Sequence, residues 1–278
     1  MILVSSPVIQ AANYRAVRRT PLARPYLVVL HTAENDLRPG GARAIQTWAS
    51  STAVGTNPDQ VSAHFAVDNT EAIRGVDDTA VAFTQSAWND LCLSIEHAGR
   101  ARYTADEWAA LGGYALADIT SEILAAWCVT WTIPCRRVTV AQLVTLWRDW
   151  QAGRPLDGLG GITTHADITA ASQIVGTAGN HSDPGAGFPI DLIIQTANQI
   201  IDGDTDMTLA RIVRFKPFAN CWLIFAGGPP VHLSPEMFDE LVADGVRVSP
   251  PKPMHAQMLK GLLVQSGCST ADLVPMAP

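Results

Sequence analysis

"YLVVLHTAEN", residues 26–35, decides how the chain is read. Leu27-Val28-Val29-Leu30 is an unbroken apolar run that stops at His31-Thr32, before a polar loop. A run this short, rich in β-branched residues, marks a buried strand. It places His31 at the strand's end.

Working outward, the pattern alternates between strands and helices. "GARAIQTWAS" (41–50) spaces its apolar residues as a short helix does. "SAHFAVDN" (62–69) alternates as a strand, with a turn at Asp68-Asn69, and "LCLSIEHAG" (91–99) is another strand ending at Gly99. "TADEWAALGGYALADITSEILAAWCVTW" (104–131) is the strongest helix. Thr104 and Glu107 form a capping box at its start, Gly112-Gly113 weaken it locally, and it should stop before Pro134. "TVAQLVTLWRDW" (139–150) reads as a second helix. "GLGGITTHADIT" (158–169) is a Gly-rich lead into a short strand, with a loop after His165. "FPIDLIIQTANQII" (188–201) is a further helix with Pro189 near its start. This order implies an α/β (α+β) fold, a central mixed sheet flanked by helices.

"DGDTDM" (202–207) reads as a linker, which gives domains at 1–203 and 207–278. In the second, "LARIVRFKPF" and "CWLIFAGGPPVHLS" suggest two strands, and "PEMFDELVADG" and "MHAQMLKGLLVQSG" two short helices, a small α+β unit.

The chain has 278 residues, 47% of them hydrophobic and 16% charged, which suits a packed core. Its net charge of −7 argues against nucleic acid as a partner. Residues 207–278 hold six Lys/Arg and five Asp/Glu, a net of +1, so the remainder carries −8. No apolar run reaches the roughly 20 residues that span a bilayer, so no membrane insertion is expected. The basic residues near the start follow the apolar stretch, the reverse of a secretory signal. The five cysteines are odd in number and widely spaced, so they read as reduced and mostly buried.

Of seven histidines, His31 and His165 stand out, because each ends a strand next to a threonine. Strand ends bring distant side chains together rigidly. Two imidazoles and one carboxylate form a typical hydrolytic zinc site with an open fourth position, where zinc lowers the pKa of a water to about 7. Asp183 in "GNHSDPGAGFPID" (179–191) is the best carboxylate, on a turn shaped by Pro184 and Gly185. Structural histidines remain the alternative on pattern alone.

"VVLHTAEN", "SAHFAVDN", "GVDDTAVAFTQ", "WNDLCLSIEHAG", "ITTHADIT" and "HSDPGAGFPID" together resemble, in order and spacing, the type 2 N-acetylmuramoyl-L-alanine amidases. These are zinc amidases related to peptidoglycan recognition proteins. The resemblance covers roughly residues 20–203 and is greatest to phage endolysins of actinobacterial hosts. It implies cleavage of the amide between N-acetylmuramic acid and L-alanine in bacterial peptidoglycan. It implies Zn2+ on His31, His165 and Asp183, with Glu96 as general base. His181 takes a position often held by lysine, which steadies the oxyanion. Ala63 stands where many relatives have tyrosine, shifting the burden to Glu96. Thr84 stands where many have a substrate-side histidine. His64 and Asn89 match positions near the substrate, although a buried His64 and a turn role for Asn89 read equally well. His97 follows Glu96 on its strand, so it should point to the opposite face as a structural residue. Asp167 reads as a turn residue, and Trp88, Trp108, Trp127 and Trp131 as core.

The endolysin reading implies a monomer made in the host cytoplasm without a signal peptide. It would reach the wall through a holin, and its second domain would bind the wall. The alternatives are a peptidoglycan-binding protein of the same fold that does not cut, whose members usually lack the third ligand, and a bacterial remodelling or recycling amidase.

Overall fold

The computed structural model describes residues 6–17, 24–51, 60–177 and 179–202, and three strands beyond them. The chain divides into two compact units, Met1–Gly203 and Asp204–Pro278.

The first unit has five strands, β1 (Leu27–Thr32), β2 (Phe65–Val67), β3 (Ala72–Arg74), β4 (Cys92–His97) and β5 (Gly161–Thr164). Its helices are α1 (Gly41–Ala49), α2 (Ala105–Ala110), α3 (Gly113–Trp131), α4 (Val140–Gln151), α5 (His165–Val175) and α6 (Ile190–Ile201). The strands form one mixed sheet in the order β3-β2-β4-β1-β5. All neighbours are parallel except the β2–β3 pair.

Alternation along the strands sorts the core into two layers. Val28, Leu30, Phe65, Leu93 and Ile95 pack with Leu116, Ile123 and Trp127 of α3 and Ile193 of α6. Leu27, Val29 and Cys92 pack on the other side with Leu143 and Leu146 of α4 and Ile168 and Ala171 of α5. Helices therefore cover both faces, which is why β1 is buried at every position and apolar from Leu27 through Leu30 rather than at every second residue. Each such buried Leu or Val contributes roughly 1.5–3 kcal/mol.

Three local readings need correction. The helix expected over 104–131 is two helices. The Thr104–Glu107 capping box starts α2, but Gly112 adopts φ 93°, and the chain restarts as α3. The Asn69 side-chain amide donates to the Leu111 carbonyl (3.0 Å) at this break, so a tertiary contact fixes it. His165 is followed by a helix, not a loop: it opens α5, with the Thr164 hydroxyl accepting from the Asp167 amide. Finally, the strand in "SAHFAVDN" begins only at Phe65, so His64 lies just before it. Asp68 forms the expected turn by accepting from the Thr70 and Glu71 amides, and the chain returns as β3. Among the described residues, no helix is long and apolar enough to cross a membrane.

In the second unit, β6 (Arg211–Arg214), β7 (Cys221–Ile224) and β8 (Val231–Leu233) form an antiparallel sheet in that order. "CWLIFAGGPPVHLS" thus holds two strands rather than one. The two helices expected after it lie outside the described residues.

Candidate metal centre

The parallel register brings the candidate residues level. His31 on β1 lies directly beside Glu96 on β4. Leu30 pairs with Thr164 on β5, so His165 follows at the same height. His31 and Glu96 share the face opposite His97. The three sit at the carboxyl ends of adjacent parallel strands, where open α/β sheets place ligands.

Asp183 arrives on the loop before α6. Its carbonyl accepts from the Ala166 amide at 2.8 Å, and its carboxylate from the Thr32 amide at 3.3 Å. The loop is pressed onto residues 101–104. A Cβ on Gly185 would lie 1.8 Å from the Ala101 carbonyl oxygen, and one on Gly187 2.2 Å from that of Tyr103. Only glycine allows both approaches. Phe188 anchors the loop in the core against His97 and Trp108.

His31, His165 and Asp183 thereby form a buried group whose candidate ligand atoms all lie within 4.8 Å of one another. Nδ1 of His31 is 3.4 Å from one Asp183 oxygen, and Nδ1 of His165 is 3.3 Å from the other. Tetrahedral zinc with bonds of roughly 2.0–2.1 Å spaces its ligand atoms roughly 3.3 Å apart. The donor set and its spacing fit a zinc ion. The two rings meet edge to face at 4.5 Å.

Burial sets the electrostatics. Desolvation lowers the His31 imidazole to about 4, against the pull of its hydrogen bond to Asp183. Burial works to raise the Asp183 carboxyl, but the hydrogen bonds from His165 and His31 prevail and hold it well below the usual carboxylate range. Both states suit a cation, a neutral imidazole and an ionised carboxylate. Glu96 lies 3.8 Å from His31 Nδ1. Burial first, then the charges of Asp183 and Glu34, raise its carboxyl to about 8. Its Oε2 is buried without a hydrogen-bond partner.

His181 stacks on His165, ring centroids 4.0 Å apart, with its Nδ1 3.5 Å from Asp183. Its side chain is 56% exposed, so it faces the cleft opening. Burial, and then the neighbouring His165, lower its pKa. That direction favours the neutral ring over the cation.

These residues open onto a cleft of about 980 Å³, with Trp48, Ala63 and Phe83 on its other walls. Thr84 lines the cleft, and its hydroxyl is buried without a hydrogen-bond partner. Asn89 also lines it, but its side-chain oxygen is engaged by the Thr84 and Gln85 amides, at 3.1 and 2.6 Å. His64 is not among the lining residues. It is buried, its Nδ1 3.1 Å from the Ser94 hydroxyl and its ring edge-on to Trp127. That placement corrects the substrate-side expectation for His64. His97 points the other way, into the core with Phe188. Asp167 is half-buried in the first turn of α5, 3.5 Å from Arg137.

Sequence reasoning passes over Gln85. Its side-chain nitrogen lies 2.6 Å from His31 Nε2, and the residue is 3% exposed. Nothing in "FTQSAWN" announces this contact, which joins positions 54 residues apart.

No family model and no curated protein matches the chain. Solved structures do. Staphylococcus aureus hydrolase AmiA, in complex with its ligand, is 16% identical, with 68% of this chain and 80% of that one aligned at a TM-score of 0.47. A selenomethionine AmpD derivative is 16% identical over 70% and 95%, also at 0.47. The N-acetylmuramoyl-L-alanine amidase LysC from Clostridium intestinale is 16% identical over 70% and 99%, at 0.34. Likenesses this distant decide nothing about function.

Proposed function

We propose that residues 1–203 are a zinc-dependent N-acetylmuramoyl-L-alanine amidase that acts on bacterial peptidoglycan. The observation that carries this is the buried His31–His165–Asp183 group at the strand ends, opening onto a large cleft beside Glu96. The choice of bond and substrate rests on the six sequence segments that resemble type 2 amidases.

A zinc ion held by these three residues would supply Lewis acidity toward the amide carbonyl and the attacking water. The chain's own groups divide the remaining work. Glu96, with its carboxyl raised to about 8, can hold a proton near neutral pH. Its ionised form takes the proton of the attacking water, becomes the neutral carboxyl that burial favours, and returns the proton to the departing nitrogen. His181 reaches the carbonyl oxygen with a ring N–H and stabilises the charge that develops there. Thr84 forms part of the cleft wall along which the substrate would lie. Residues 207–278 form the wall-binding part of a phage endolysin in this reading.

Mass spectrometry of digested cell wall tests the chemistry, comparing the native chain with Glu96→Ala. New L-alanine amino termini, absent with the variant and without new reducing sugar ends, are expected. New reducing ends would identify a glycosidase and end the proposal. Metal analysis of Asp183→Ala should show lost zinc; unchanged zinc content and activity would remove Asp183 from the site.

A further inference from the structure

His31 has two ring nitrogens, and the structure accounts for both. Nδ1 faces Asp183 and Glu96 at 3.4 and 3.8 Å. Nε2 meets the Gln85 amide at 2.6 Å. The His31 ring is buried, at 1% exposure, so bulk water does not serve Nε2.

A neutral imidazole that gives its Nδ1 lone pair to a cation carries its proton on Nε2. That N–H needs an acceptor, because a buried donor left unpaired is destabilising. A primary amide offers an oxygen at one end and an NH2 at the other, exchanged by a half-turn. With Oε1 toward His31, Gln85 accepts from Nε2–H and leaves the Nδ1 lone pair directed at Asp183's side of the site. With Nε2 toward His31, it donates instead, and Nδ1–H is free to donate to Asp183. Gln85 therefore serves the ring with and without a cation.

The backbone around Gln85 is fixed for this task. Asn89 binds the Thr84 and Gln85 amides, and the Gln85 carbonyl accepts from the Trp88 amide at 3.0 Å, opening a 3₁₀ helix, Ser86–Leu91. Trp88 is fully buried, and its indole N–H donates to the Ser172 hydroxyl of α5 at 2.9 Å. The loop that holds His31 is thus tied to the helix that presents His165.

We infer that Gln85 is the positioning residue of the centre, whose amide holds His31 with Nε2 protonated and Nδ1 free to bind a metal. The inference rests on the metal reading of the site. It adds that affinity for the metal depends on a residue that does not touch it, as outer hydrogen bonds to metal-binding histidines do.

Zinc alone is the probe, titrated into metal-free full-length chain against a chromophoric chelator. Gln85→Met keeps the side chain's length but replaces the amide oxygen with a weakly accepting thioether, and should lower zinc affinity about 10–100-fold. Gln85→Glu, which supplies an acceptor, should restore most of it. In the unmutated chain, 15N spectra of the His31 ring should show Nε2 protonated and Nδ1 unprotonated when zinc is bound. That second reading does not depend on either variant folding. A Gln85→Met chain with unchanged affinity, or zinc-loaded His31 protonated on Nδ1, overturns the inference and leaves the metal reading standing. A native chain that takes up no zinc overturns both.

Discussion

Replacing His97 by asparagine tests how the sheet carries its buried histidines. His97 is fully buried behind the centre, its Nδ1 2.7 Å from the His31 carbonyl oxygen and its Nε2 3.0 Å from the Thr120 hydroxyl. The Nδ1–H donates to the carbonyl. Thr120 can donate to Nε2, or turn its hydrogen to the Leu116 carbonyl 2.7 Å away and accept. The hydrogen bonds thus suit either charge state, and burial decides. It lowers the imidazole from its ordinary 6.5 to about 3. A histidine with a depressed folded pKa contributes stability that is complete above 6.5 and drains away as the pH falls toward 3. At about 1.36 kcal/mol per pH unit the whole contribution is about 5 kcal/mol, of which about 2 kcal/mol is lost between pH 7 and pH 5. Asparagine keeps an N–H donor in reach of the His31 carbonyl but does not titrate. His97→Asn should be less stable at pH 7, through its smaller side chain, by about 1–3 kcal/mol. The gap from the native chain should shrink by about 2 kcal/mol at pH 5. Urea unfolding followed by tryptophan fluorescence measures it, with a chelator present so that metal binding plays no part. Seven of the eight tryptophans lie in residues 1–203, so the signal follows the first unit. A gap that stays constant from pH 7 to pH 5 refutes the reasoning.

Gly185→Ala should destabilise the first unit by about 1–3 kcal/mol and weaken zinc binding, because its Cβ would collide with the Ala101 carbonyl and push Asp183 aside; urea unfolding and chelator competition measure the two effects, and unchanged values for both refute it. Asn89→Ala removes the acceptor shared by the Thr84 and Gln85 amides, at about 1–3 kcal/mol, and should also lower zinc affinity by loosening Gln85. An affinity equal to that of the native chain would separate Asn89 from the centre. Deleting 207–278 should reduce co-sedimentation with whole cell walls while sparing hydrolysis of soluble muropeptides, and undiminished sedimentation would end the wall-binding proposal.

How much the sequence reveals depends on how local each feature is. The β1 run and the period-two alternation of β4's side chains are legible because burial on both faces is written into neighbouring residues, with only Glu96 of β4 less than buried. The same alternation places Glu96 and His97 on opposite faces, and the structure has them so, with Glu96 at the cleft and His97 against Phe188. The capping box at Thr104 is equally local, four residues from Thr104 to Glu107. The break at Gly112 is only half legible. The glycine pair signals weakness, but Asn69, from the other side of the sequence, turns a weakness into an end. The helix after His165 hides because "GLGGITTHADIT" carries strand and helix signals without a gap; Thr164 both ends β5 and caps α5.

The site divides along the same line. His31, His165 and Asp183 are far apart in sequence, yet each sits at a boundary that the pattern marks: two strand ends and a Pro-Gly turn. Boundaries between regular elements are few, so residues there can be matched to one another before any distance is known. His64 and Gln85 sit on irregular backbone, where no periodicity says which way a side chain points. For that reason the sequence leaves the role of His64 open and that of Gln85 unread. His64 turns inward to Ser94, and the unremarked Gln85 closes on His31. A residue that acts on a metal through another side chain need only meet one atom of that side chain. It therefore leaves no spacing to read, and three-dimensional contact is the first place it becomes visible.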